Sequence, residues 1–98
     1  MSNTRSALLL SAQRALWGNV TTQLRSALIE ASGNKIRWRC IFDSSATEED
    51  FELVSIAGSE ILADFSNPWT LEEEVIAIPE PDEIEDLECL VFRRYEAK

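Results

Sequence analysis

Thr47-Glu48-Glu49-Asp50-Phe51-Glu52-Leu53-Val54-Ser55-Ile56-Ala57-Gly58-Ser59-Glu60-Ile61-Leu62-Ala63-Asp64-Phe65 is the stretch around which the chain can be ordered. Phe51, Val54, Gly58, Ile61, Leu62 and Phe65 recur at helical spacing and fill one stripe of about 100° on a helical wheel. Thr47 suits the N-cap and Asp50 stands three residues on. Glu48, Glu49 and Asp50 place negative charge at the positive end of the helix dipole. Asn67-Pro68 supplies the stop, because proline disfavours helical geometry at the residue before it. Burying the five large side chains of the stripe contributes at most about 1.5–3 kcal/mol each. The outer face carries Glu49, Leu53, Ile56, Glu60 and Asp64, a mixed acidic and apolar surface.

Working outward, the next firm signal is a hairpin over Thr21–Ser32 and Lys35–Asp43, joined by the two-residue turn Gly33-Asn34. That turn predicts a register in which paired residue numbers sum to 67. Ile29 then faces Trp38, Ala27 faces Cys40 and Ala31 faces Ile36, forming the expected core face. On the other face Glu30 opposes Arg37, a pair worth about 0.2–1 kcal/mol that helps to hold register, and Leu28 opposes Arg39. Toward the N-terminus, Ser6–Trp17 reads as a short helix ended by Gly18, with residues 1–5 as a loose polar lead. Leu10 and Trp17 point away from its apolar side, to be covered by loops or by a partner. Leu71–Pro79 reads as a third strand, Glu80–Asp86 as an acidic loop or helical turn, and Leu87–Glu96 as a fourth strand. In that last strand Leu90 and Phe92 share one face and Cys89, Val91 and Tyr95 the other; apolarity does not choose between them.

The order αββαββ predicts an α+β fold in one domain, residues 1–98. The expectation is a two-layer sandwich: a four-stranded, mainly antiparallel sheet with both helices on one face. The second sheet face is left as partly solvated or as an interaction surface.

Charge divides the chain. Residues 1–42 carry +5, and residues 43–98 carry −14 within a net −9. Three acidic clusters stand out: Glu48-Glu49-Asp50-Glu52, Glu72-Glu73-Glu74 and Asp82-Glu83-Glu85-Asp86. Acids are favoured in an opening helical turn in any case, and Glu72–Glu74 can pair with Arg93, Arg94 or the hairpin arginines Arg37 and Arg39. The Asp82–Asp86 cluster has no evident capping or pairing role. Together such clusters steer a cationic partner. Nucleic acid is a poor ligand for this charge balance. Arg37 and Arg39 also lie across the strand from Trp38, unlike the arginine–aromatic faces that bind RNA. Trp38 is expected in the core, whereas Trp69, in a loop after Pro68, is either a lid on the core or a partner contact.

No histidine, CxxC pair, nucleophile elbow, phosphate loop or EF-hand spacing occurs. Neither a cofactor nor a metal is therefore expected, and no catalytic residue is assigned. Cys40 and Cys89 are expected as buried free thiols. Ala7-Leu8-Leu9-Leu10 is too short for a secretory core, and no apolar run is long enough to span a membrane; a cytoplasmic chain is expected.

Leu10-Ser11-Ala12-Gln13-Arg14-Ala15-Leu16-Trp17-Gly18-Asn19-Val20-Thr21, Thr47-Glu48-Glu49-Asp50 and Glu60-Ile61-Leu62-Ala63-Asp64-Phe65 together resemble a family of small bacterial proteins. Some of its members look like immunity proteins of contact-dependent growth inhibition and related polymorphic toxin systems. The resemblance implies a cytoplasmic protein that binds and blocks a cognate toxin domain, often a nuclease. It carries over no set of functional residues. On physical grounds the partner-binding candidates are Asp82, Glu83, Glu85, Asp86, Glu49, Glu72, Glu73, Glu74 and Trp69. The competing expectation is a structural or regulatory subunit of a bacterial assembly, with the acids serving solubility. Self-association is left open by both.

Overall fold

The computed structural model describes residues 2–80, 82, 83 and 89–96, without the side chains of Ser2 and Asn3. Its elements run α1 (Ser2–Leu16), β1 (Leu24–Ser32), β2 (Lys35–Phe42), α2 (Glu48–Ala63), β3 (Thr70–Ala77) and β4 (Cys89–Arg93). The αββαββ order is as expected. Most of the expected Glu80–Asp86 loop, and the first two residues of the expected fourth strand, lie outside the described residues.

The hairpin forms in the predicted register: Ile29 pairs with Trp38, Ala27 with Cys40, Ala31 with Ile36 and Glu30 with Arg37. Gly33 takes φ 61°, the left-handed conformation that the turn needs and that a side chain would strain. The register slips by one residue between Leu24 and Ser26, where Arg25 forms a β-bulge. The slip brings Leu24 opposite Phe42, and both are fully buried.

The expectation of a mainly antiparallel sheet is corrected. The sheet is mixed, in the order β3-β2-β1-β4, and β2 and β3 run parallel. A parallel pair cannot be joined by a tight turn, and α2 is the crossover connection that this geometry requires. β1 pairs antiparallel with both β2 and β4.

One hydrophobic cluster joins Leu8, Ala12, Ala15 and Leu16 of α1 with Val54, Ala57 and Ile61 of α2. It also takes in Ala27, Ile29, Ile36, Trp38, Cys40 and Cys89 from the sheet. The Trp38 indole is fully buried, and its Nε1–H donates to the Val54 carbonyl of α2 at 3.0 Å. Gly58 lies over that ring. A Cβ there would sit 3.0 Å from Trp38 Cδ1 and 3.2 Å from Leu71 Cδ2, so glycine permits the close approach of helix to sheet. The predicted stripe of α2 is the inward one: Val54, Gly58 and Ile61 are buried, and Phe51, Leu62 and Phe65 half-buried.

Both ends of α2 are tied down. Thr47 N–H donates to Asp50 Oδ2 at 2.8 Å, closing the first turn and holding the Asp50 carboxyl below its usual range. Asp64, expected on the outer face, instead reaches across to α1. It accepts from the Ser11 hydroxyl and from Arg14 Nη2, the latter at 3.2 Å, and the Ser11 bond foremost lowers its pKa. α1 begins at Ser2, so the loose lead expected over residues 1–5 is corrected: once turns are nucleated, propagation adds one hydrogen bond per residue, and polar residues can follow on the solvent side. Gly18 ends that helix with φ 79°.

A second bulge settles the facing of β4. Leu90 pairs with Leu28 but Phe92 pairs with Ala27, so Val91 is the extra residue. Alternation breaks there: Cys89 is buried in the cluster, and Val91 and Phe92 both pack against it, while Leu90 is 43% exposed on the other face. On that second face Leu28 and Ile41 are nevertheless fully out of solvent.

Candidate functional site

The three acidic clusters have different fates. In the parallel register Glu72 lies beside Arg37 and Glu74 beside Arg39. Arg39 Nε meets Glu74 Oε1 at 2.7 Å, Arg37 Nη1 meets Glu30 Oε2 at 2.9 Å, and Lys35 Nζ stands 3.6 Å from Glu72. Arg37 also lies within 4 Å of both Glu72 and Glu74. These two acids therefore neutralise the hairpin's basic residues. Glu73 points to the opposite face, beside Gly58, and is exposed.

The opening cluster of α2 is split. Asp50 is consumed by the Thr47 cap. Glu48, Glu49 and Glu52 are exposed and form no ion pair among the described residues. Glu49, Glu52, Ile56 and Glu60 follow one another at helical spacing on the outer side of α2, with Leu53 half-buried among them and Ile56 50% exposed.

Of the third cluster, Asp82 and Glu83 are exposed, and Glu85 and Asp86 lie outside the described residues. What fixes Asp82 is Arg25, which sequence reasoning counted only as charge. Its side chain is 3% exposed. Nε and Nη2 donate to the two Glu96 carboxylate oxygens at 2.7 and 2.8 Å; the remaining bonds go to the carbonyls of Ile78 (2.8 Å), Pro79 (3.4 Å) and Asp82 (2.9 Å). One guanidinium thus clasps the exit of β3, the start of the acidic segment and the chain beyond β4. A signal was present: by strict alternation Arg25 shares the core face with Ala27 and Ile29, and an arginine there calls for a bulge.

Arg94 extends the clasp. It bonds Asp43 Oδ2 at 2.8 Å, Glu96 Oε2 at 3.0 Å and Glu80 Oε1 at 3.4 Å. Glu96 is held down to about 2, first by its Arg25 bonds and further by Arg94. Asp43 also falls to about 2, through the Ser45 hydroxyl and then Arg94. The Arg25 and Arg94 pKa values are raised in return, chiefly by Glu96 and Asp43 respectively.

The sequence matches the MafI2 immunity protein family over residues 5–96. The chain belongs to that family. No match is found among curated proteins. The matched span takes in α1 from Arg5 onward and the five later elements of the MafI2 family member described above, and ends at Glu96, the carboxylate of the clasp. Membership implies a cognate toxin as partner.

The aromatic candidates also separate. In this MafI2 family member Trp69 is half-buried, its ring centroid 5.6 Å from that of Phe65, and it packs on the core. Trp17 is 75% exposed beside a groove of about 330 Å³ lined by Gln13, Leu16, Val20, Val91 and Phe92, none of them charged. Tyr95 is 88% exposed. Cys40 and Cys89 are buried free thiols on the two strands flanking β1, and burial pushes the Cys40 thiol far up. Among the described residues no carboxylate, cysteine and histidine grouping suits a metal ion, and no helix is long and apolar enough to cross a membrane.

Proposed function

We propose that this chain is a non-enzymatic inhibitor that binds its cognate toxin domain through an acidic surface and blocks it, the toxin being a basic nuclease met in the cytoplasm. The observation that carries the reading is membership of an immunity family together with the uneven neutralisation of the acids. Glu72 and Glu74 are tied to arginines and add only to the long-range field. Glu49, Glu73, Asp82 and Glu83 stand in solvent, free to meet a cationic partner, and Glu85 and Asp86 continue the last cluster in sequence.

A nuclease must present positive charge to its phosphate substrate. A compact acidic inhibitor satisfies that charge without offering a cleavable bond, and either covers the active site or excludes substrate from beside it. Long-range attraction governs association, while a few desolvated anchors govern release.

The test is co-purification with the toxin domain encoded immediately upstream, and protection of cells that express it. A chain that neither binds nor protects removes the proposal and favours the structural-subunit alternative. Reversing the charges of Asp82, Glu83, Glu85 and Asp86 should slow association and flatten its dependence on salt. Unchanged kinetics would move the interface to the outer face of α2.

A further inference from the structure

We infer that Tyr95 is the aromatic anchor of the partner-binding surface, set against a cationic side chain of the toxin; this rests on the toxin-binding reading above. The geometry begins with the clasp. Arg94 N–H donates to the Arg25 carbonyl at 2.8 Å, continuing the β1–β4 ladder one residue beyond β4. The side chains of Arg94 and Glu96 then turn into the same ion network, where they are 20% and 22% exposed. Tyr95, between two anchored residues, is turned outward and is 88% exposed. Its backbone is fixed before any partner arrives, and a tyrosine has few side-chain torsions left to order.

The surroundings choose the partner's chemistry. Arg25 Nη2 bonds both the Asp82 carbonyl and Glu96, which brings the exposed Asp82-Glu83 segment to the same end of the sheet as Tyr95. Asp43, Glu80 and Glu96 are already paired with Arg25 and Arg94, so the charge this end offers a partner is that of the exposed Asp82 and Glu83. A phenol ring on an anionic rim is complementary to an arginine or lysine: the carboxylates draw the cation in, and the ring face holds it. The exposed Trp17 is set apart by its uncharged groove. Trp69 is already committed to Phe65.

The experiment measures binding kinetics of the full chain on the immobilised toxin domain encoded immediately upstream. Tyr95→Ala is expected to raise the dissociation rate about 30-fold, as loss of a hot-spot aromatic does, while the association rate stays within about two-fold. Its thermal midpoint should match wild type, because the residue is 88% exposed. Tyr95→Phe keeps the ring and should stay within about three-fold of wild type. Wild-type dissociation in Tyr95→Ala overturns this inference and leaves the toxin-binding reading intact. Equal loss in both variants assigns the contact to the hydroxyl and also overturns it. A wild-type chain that does not bind at all removes the toxin-binding reading, and the anchor with it.

Discussion

Gly58→Ala sets two effects of opposite sign against each other. Alanine in place of a mid-helix glycine stabilises by about 0.5–1 kcal/mol through backbone entropy. The new Cβ, however, would lie 3.0 Å from Trp38 Cδ1 and 3.2 Å from Leu71 Cδ2. Leu71 is half-buried and can yield. Trp38 cannot, since its ring is fully buried and pinned by the 3.0 Å bond to the Val54 carbonyl. Overpacking of this kind costs about 1–3 kcal/mol. The steric effect wins, and the net loss is about 1 kcal/mol, or about 4–8 °C in the thermal midpoint of a domain of this size. Ser59→Ala, one residue on and exposed, is the control: it gains propensity without a clash and should hold or raise the midpoint slightly. Thermal unfolding followed by circular dichroism measures both. A midpoint for Gly58→Ala above wild type would refute the claim that glycine is there to admit the tryptophan.

Arg25→Met removes the clasp and leaves the Ile78 carbonyl and one side of Glu96 without a donor; a loss of about 2–4 kcal/mol is expected in urea unfolding, with Arg25→Lys intermediate because it cannot serve five acceptors. Stability should be lost as pH falls from about 5 to 2, because the Glu96 and Asp43 carboxyls stay ionised to about 2 when folded while the unfolded chain takes up protons near 4. Unfolding midpoints across pH should show that loss, and Glu96→Gln should make it shallower. The folded chain should give almost no reaction with a thiol reagent at neutral pH and two thiols after denaturation, since Cys40 and Cys89 are both buried and free.

The hairpin and α2 were legible because their determinants are local. Gly33-Asn34 fixes a register by itself, and Thr47 and Asp50 announce a helix start without reference to anything distant. The direction of β3 was not legible. The alternation in Leu71–Pro79 says strand but names no neighbour, and only the length of the intervening helix hinted at a parallel crossover. Pairing of Glu72 with Arg37 and of Glu74 with Arg39 follows from that non-local register, so the acids that are neutralised could not be told from those that are free. Bulges erased the rest. At Val91 an extra residue places apolar side chains on both faces, and at Arg25 it withdraws an arginine from the core face. Tyr95 gave no signal, because its exposure depends on where Arg94 and Glu96 find their partners.

The two open edges of the sheet bear on how this protein meets others. β3 offers a full eight-residue edge, but Glu72, Glu73 and Glu74 lie in succession along it. A second β3 laid alongside would bring glutamate triplets together on both faces, which opposes fibre-like stacking of copies. β4 spans five residues among those described and is interrupted by its bulge, which blunts it as a template for another chain. With both borders guarded, a partner gains little from adding a strand of its own. On the toxin-binding proposal, recognition falls instead to side chains, which can distinguish one partner from another as the backbone that every protein shares cannot.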